Sequence, residues 1–196
     1  MFIKIIDCTE KSDKNIEDII NFLINYFDSL NIKNERIKFK DFKIVKCTQC
    51  RCCTLIKSDS PTKCVIKDDM NDLLDKIEEA TAFVIVADRN DLFNRNKLFE
   101  KVESRLIAYH YWPYSQAHST PRKTVLDKTS ILINYNTTKY FMNHSFYMAR
   151  MYMEEASISI GAKVLDWQAI IPTKDLIKDY AKRLKEMADK LVNNSK

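Results

Sequence analysis

Four cysteines offer the most specific chemistry in this sequence. Cys47, Cys50 and Cys53 are each separated by two residues, and Cys64 follows after a gap of ten. Two such spacings let three thiolates converge from one turn-rich loop, and the fourth can close the site from beyond it. Lys46, Arg51, Lys57 and Lys63 flank the group; these cations favour the thiolate form and would offset the negative charge of a cluster. The residues leave three outcomes open: an iron–sulfur cluster, a structural Cys₄ zinc, or reduced thiols packed in a loop. Cys52 interrupts the spacing and is read as a bystander, with a substitute ligand as the alternative, while Cys8 reads as a small buried residue. Five of the six cysteines lie between positions 47 and 64. In a reducing compartment such clustering favours metal or redox chemistry over disulfides.

Other reactive side chains form weaker patterns. His110, His118 and His144 are scattered and lack a carboxylate at motif spacing, so surface or interface roles are expected of them. Only one glycine occurs, Gly161, which excludes a glycine-rich phosphate loop unless side chains have rebuilt it. The net charge of +5 is spread along the chain, and no basic stretch with interleaved aromatics argues for nucleic acid. The apolar opening Met1–Asp7 is too short for a signal segment, and no run reaches membrane-spanning length. A cytoplasmic protein is expected, with no membrane partner.

The elements that must position these groups alternate strand and helix. Phe2–Ile6, Glu35–Phe39, Phe83–Ala87, Ser130–Asn134 and Lys163–Trp167 read as strands; Phe83-Val-Ile-Val-Ala87 is continuously apolar, as a strand covered on both faces should be. Asn15–Leu30 carries Ile16, Ile19, Ile20, Leu23, Ile24 and Phe27 at helical spacing. Further helices are expected from Asp68 or Asp69 onward, over Asn96–Tyr109, over Asn143–Ile160 with Gly161 as stop, and over Thr173–Val192 with Thr173 as cap. Residues 46–64 form an irregular cysteine-bearing loop and residues 110–127 an excursion. With 196 residues, the pattern predicts one α/β domain: a doubly wound five-stranded parallel sheet of order 2-1-3-4-5 with helices on both faces. In such a sheet the ligand site lies at the carboxyl ends of the strands, which brings residues 7–15, 87–94 and 134–138 around one crevice.

The run Cys47-Thr-Gln-Cys50-Arg-Cys52-Cys53, followed by Lys63-Cys64-Val-Ile-Lys-Asp68-Asp69-Met70, resembles the NADPH-dependent FMN reductase family and, within it, the iron–sulfur flavoproteins. The resemblance implies a flavodoxin-like fold and assigns Cys47, Cys50, Cys53 and Cys64 to a 4Fe-4S cluster. Residues 7–17 lie where the family has N-G-S-P-R-K-N-G-N-T-E, its loop for the FMN phosphate, so Thr9, Lys11, Ser12 and Asn15 are implied phosphate ligands. Asp88, Arg89, Asn90 and Asp91, with Asn134, Tyr135, Asn136 and Thr137, are implied to border the flavin ring through backbone groups. The family's activity would make the chain a flavin-dependent oxidoreductase, reduced by NAD(P)H or a protein electron donor and assembled as a homodimer or larger homo-oligomer. Departures define the alternative. Cys8 and Lys14 replace two glycines of the phosphate loop, Glu10 replaces its proline, and Asp88-Arg-Asn-Asp91 replaces Ser-Pro-x-Tyr. A flavodoxin-like relic without FMN, acting as a binding or interaction protein, fits those changes.

Overall fold

The computed structural model describes residues 1–89, 95–139, 141–142 and 149–195. Its sheet strands are β1 (Phe2–Asp7), β2 (Lys33–Lys38), β3 (Ala82–Ala87), β4 (Lys128–Tyr135) and β5 (Ala162–Ile170). All neighbours pair in parallel, in the order β2-β1-β3-β4-β5. The expected doubly wound topology is therefore present. Register pins β3 at the centre, with Ile5 opposite Val84 and Val84 opposite Ile131.

Alternation along the strands sends successive side chains to opposite faces. Ile3, Ile5, Val84, Val86, Ile131 and Ile133 meet α1 (Lys14–Ser29) and α5 (Leu176–Asn194) on one side. Ile6, Phe83, Ile85 and Leu132 meet α2 (Met70–Glu78), α3 (Lys97–Arg105) and α4 (Ala149–Ser159) on the other. Every residue of β3 is buried, which is why its sequence shows no polar alternation. Among the described residues, no helix is long and apolar enough to cross a membrane.

Several boundaries depart from the sequence pattern. β2 starts two residues early, and Phe39 falls instead in a 3₁₀ turn over Phe39–Asp41. The helix expected to reach Tyr109 tightens into a 3₁₀ turn at Leu106–Tyr109, a common way for helices to end. The excursion contains a short antiparallel ladder pairing His110–Tyr111 with Thr120–Pro121. Thr173 does not cap the last helix: the cap position is Asp175, and the buried Thr173 hydroxyl makes no hydrogen bond. Residues 143–148 of the expected fourth helix lie outside the described residues.

Few turns use glycine. Asn31 (φ 54°), Gln49 (φ 59°), Arg51 (φ 62°) and Asn96 (φ 51°) occupy the left-handed region with full side chains. Gly161 has φ 81° just after α4, and a Cβ there would lie 2.8 Å from Cδ of Lys123. Lys123 can move aside, but the backbone cannot change sign cheaply. Gly161→Ala is therefore expected to cost about 1 kcal/mol of stability. Urea unfolding measures this, and an unchanged midpoint would show that the turn tolerates a side chain.

Candidate functional site

The carboxyl end of the sheet opens into a cleft of about 260 Å³, lined by Lys11, Asp13, Ile16, Asp88, Tyr135, Asn136, Thr137 and Thr138. The three loops expected to converge there do so, as far as they are described. The strand ends are tightly held. Asn134 receives the Arg89 amide on Oδ1 (2.9 Å) and returns a bond from Nδ2 to the Arg89 carbonyl (2.9 Å). Asn96 caps α3 by accepting from the Phe99 amide (2.7 Å), and its Nδ2 donates to the Cys8 carbonyl (2.7 Å) and to Asp88 Oδ1 (2.6 Å).

The loop after β1 is occupied from within. The backbone amides of Glu10 and Lys11 donate to the Asp88 carboxylate at 3.3 and 3.4 Å. Burial raises the Asp88 carboxyl above its ordinary pKa, against the pull of those two amides. The carboxylate of Glu10 accepts from the Leu98 amide in the first turn of α3 (2.9 Å), where the helix dipole favours negative charge. Asp7 Oδ1 accepts both the amide (3.0 Å) and the hydroxyl (2.6 Å) of Thr9, while Asp7 Oδ2 pairs with Arg36 at 2.6 Å.

The implied flavin residues thus divide. Lys11 is exposed at the cleft, and Thr137 and Asn136 line it. Asn136 Oδ1 accepts from the Thr138 amide (3.1 Å). Asn15 donates to the Tyr135 hydroxyl (2.8 Å), and exposed Ser12 accepts from Lys40 (3.2 Å). Thr9 is buried with its hydroxyl committed to Asp7. The buried Arg89 guanidinium lies against α3 and α4, 5.3 Å from the Phe99 ring and 4.1 Å from the Tyr152 ring. Asn90 and Asp91, like His144, lie outside the described residues. Asn96 shapes the site without having been singled out, and Glu10, noted only as a departure from the family loop, does so by binding α3. The Asp7-x-Thr9 pattern is itself a turn signal, since an aspartate oxygen readily accepts the amide two residues on.

A second cavity, of about 400 Å³, is lined by Cys47, Cys50, Cys53 and Cys64 together with Arg51, Ser104, Arg105 and Trp112. Cys52 is not on its wall. Left-handed Gln49 and Arg51 turn the loop between the cysteines. Arg51 is clamped beside the rings of Trp112 (4.0 Å) and Tyr114 (4.8 Å) and donates to the Trp112 and Pro113 carbonyls. Ser104 accepts from the Cys47 amide (3.2 Å), and Asn71 brackets Cys64 through its amide (2.7 Å) and carbonyl (3.0 Å). Burial, reinforced by Cys64, Cys47 and Cys50, pushes the Cys53 thiol up to about 11. Exposed Cys50 is lowered, chiefly by the amide and thiol of Cys52. Among the described residues, no three His, Cys, Asp or Glu side chains stand close enough to hold a single metal ion.

No family model matches the chain, and no curated protein matches it in sequence. Solved structures do match in fold. A protein described as a quinone reductase from Klebsiella pneumoniae superposes with TM-score 0.65 at 12% identity, covering 98% of this chain and 84% of its own. A flavone reductase gives 0.61 at 14% identity over 100% of this chain, which spans 62% of that protein's length. A short-chain flavodoxin associated with a bacterial microcompartment gives 0.61 at 12% identity, covering 100% and 99%. The fold is flavodoxin-like.

Proposed function

We propose that this chain is an electron-transferring oxidoreductase of the NAD(P)H-dependent FMN reductase type, with a flavin at the carboxyl-end cleft and an iron–sulfur cluster on Cys47, Cys50, Cys53 and Cys64. The observation that carries the reading is the meeting of all four spaced cysteines on one cavity in a flavodoxin-like fold. The C-x2-C-x2-C spacing with a fourth cysteine beyond it resembles that of the iron–sulfur flavoproteins, which favours a cluster over a lone zinc. Lys46 and Arg51 on the wall supply compensating charge.

When bound, a flavin and a cluster supply electron transfer; the chain's own residues orient and tune them. At the cleft, Asn136, Thr137 and Thr138 offer polar groups to a hydroxylated chain. The FMN phosphate does not fit the loop as it stands, because Asp88 holds the amides that would receive it. This same contact favours the flavin-free binding protein as the second reading. NAD(P)H or a protein would donate electrons, in the cytoplasm. Exposed Ile56, Val65, Tyr114 and Val125 supply apolar surface for a homodimer.

Protein purified without oxygen should be brown and contain iron and acid-labile sulfide, both lost in Cys53→Ser. Anaerobic protein free of iron and sulfide would refute the cluster. Failure of the same protein to bind any flavin would leave the binding-protein reading in its place.

A further inference from the structure

In the loop after β1, three of the donors a phosphate would use, the Glu10 and Lys11 amides and the Thr9 hydroxyl, are already bonded within the protein. The Glu10 and Lys11 amides point at Asp88, which is 6% exposed and also receives Asn96. The Thr9 hydroxyl serves Asp7, and the Glu10 carboxylate is held on α3. The charges lining the cleft are Lys11 against Asp13 and Asp88. A phosphate dianion entering the loop would have to displace an internal carboxylate or lie beside it in a partly buried place, where like charges repel strongly. The rest of the rim, Tyr135, Asn136, Thr137 and Thr138, is uncharged and hydrogen-bonding. Such a rim suits hydroxyl groups.

We infer that the cleft takes an uncharged, polyhydroxylated flavin, riboflavin in preference to FMN, and that Asp88 is the residue that sets this choice. The inference rests on the reading of the cleft as a flavin site. The Asp88 carboxylate acts as a built-in anion: it satisfies the loop's donors while no ligand is present, and it excludes the terminal phosphate when one arrives. Lys11 remains the one cation on the cleft wall among the described residues, and a single exposed ammonium does not offset two carboxylates.

The test is titration of the full-length apoprotein with riboflavin and with FMN, at equal ionic strength, followed by quenching of flavin fluorescence. Riboflavin is expected to bind at least about tenfold more tightly than FMN, and millimolar inorganic phosphate should not compete with it. Asp88→Asn keeps the shape and one acceptor while removing the charge, and should raise FMN affinity toward that of riboflavin. FMN binding as tightly as riboflavin to the unaltered protein would overturn the inference while leaving the flavin site intact. A riboflavin preference that survives Asp88→Asn would overturn the role of Asp88. Binding of neither flavin to the unaltered protein would remove the flavin site and this inference with it. The comparison of the two ligands on unaltered protein needs no variant to fold.

Discussion

Replacing Arg122 with methionine should destabilise the protein by about 3 kcal/mol or more and open the cysteine-bearing loop to proteolysis. Arg122 is 7% exposed, and its guanidinium reaches into that loop from the excursion. It donates to the carbonyls of Ile56 (2.7 Å), Ser58 (3.2 Å) and Cys53 (2.9 Å), to the Thr62 hydroxyl (3.3 Å) and to the Ala108 carbonyl (2.9 Å). Methionine fills the volume of the stem but leaves these acceptors without a donor, and each buried orphan costs about 1–3 kcal/mol. Water reaching the loop recovers part of that, which sets the lower figure. Arg122→Lys should recover little, because an ammonium cannot span acceptors that a planar fork reaches together. Urea unfolding and limited proteolysis measure both effects. A loss below 1 kcal/mol, with no new cleavage between residues 51 and 64, would show that the loop holds itself.

The second large effect belongs to Arg105 and Asp68. Arg105 Nη1 and Nη2 grip Asp68 Oδ2 and Oδ1 at 2.8 and 3.0 Å, with side-chain exposures of 1% and 6%, and Nη1 also donates to the Val45 carbonyl at 2.9 Å. Removing one member of a buried pair strands the other, at about 3–5 kcal/mol. Arg105→Leu should lose that amount at neutral pH, and Arg105→Leu/Asp68→Asn should lose distinctly less.

The pH dependence supplies a separate check. Burial alone would raise the Asp68 carboxyl, but Arg105 and the amides of Val45 and Met70 outweigh it and hold it below the usual range. A depressed folded pKa contributes stability that is fully present above the unfolded value of about 3.9 and is lost as pH falls through the folded one. In Arg105→Leu burial prevails and the folded value rises, so the sign reverses. That variant should gain relative stability on acidification from neutrality toward pH 4. Parallel pH profiles for the variant and the unaltered protein would show that the pair contributes nothing through charge.

The sheet was legible in the sequence because each strand obeys a simple rule. β3 is apolar throughout because α1 and α5 lie on one face and α2, α3 and α4 on the other. Spacing pointed to the cysteine cavity, since residues three apart in a turning loop can share a wall, as Cys47, Cys50 and Cys53 do while Cys52 does not. What spacing does not carry is which distant side chain arrives. Asp88 meets Glu10 across 78 positions, and an aspartate read as part of a ring-bordering loop becomes the occupant of a different loop. Arg122 meets Ile56 across 66 positions. Thr9 illustrates a local competition: its hydroxyl reads as a phosphate donor until the neighbouring Asp7 takes it. The cap at Asp175 rather than Thr173 is a shift of the helix start that apolar periodicity does not fix.

The near absence of glycine also acts on the denatured chain. Each glycine that a chain dispenses with at an unstrained position removes about 0.4–1 kcal/mol of unfolded-state freedom that folding would have to overcome. With a single glycine in 196 residues, the unfolded ensemble of this protein is comparatively stiff, and less entropy opposes folding. The balance reverses locally at Gln49 and Arg51, where left-handed backbone under a full side chain costs roughly 1–2 kcal/mol per residue. These two residues sit between cysteines that share one cavity. The stiffness of the chain at large adds to global stability, while the local cost at these two residues is met by the contacts that Arg51 and Arg122 make to the loop and the excursion.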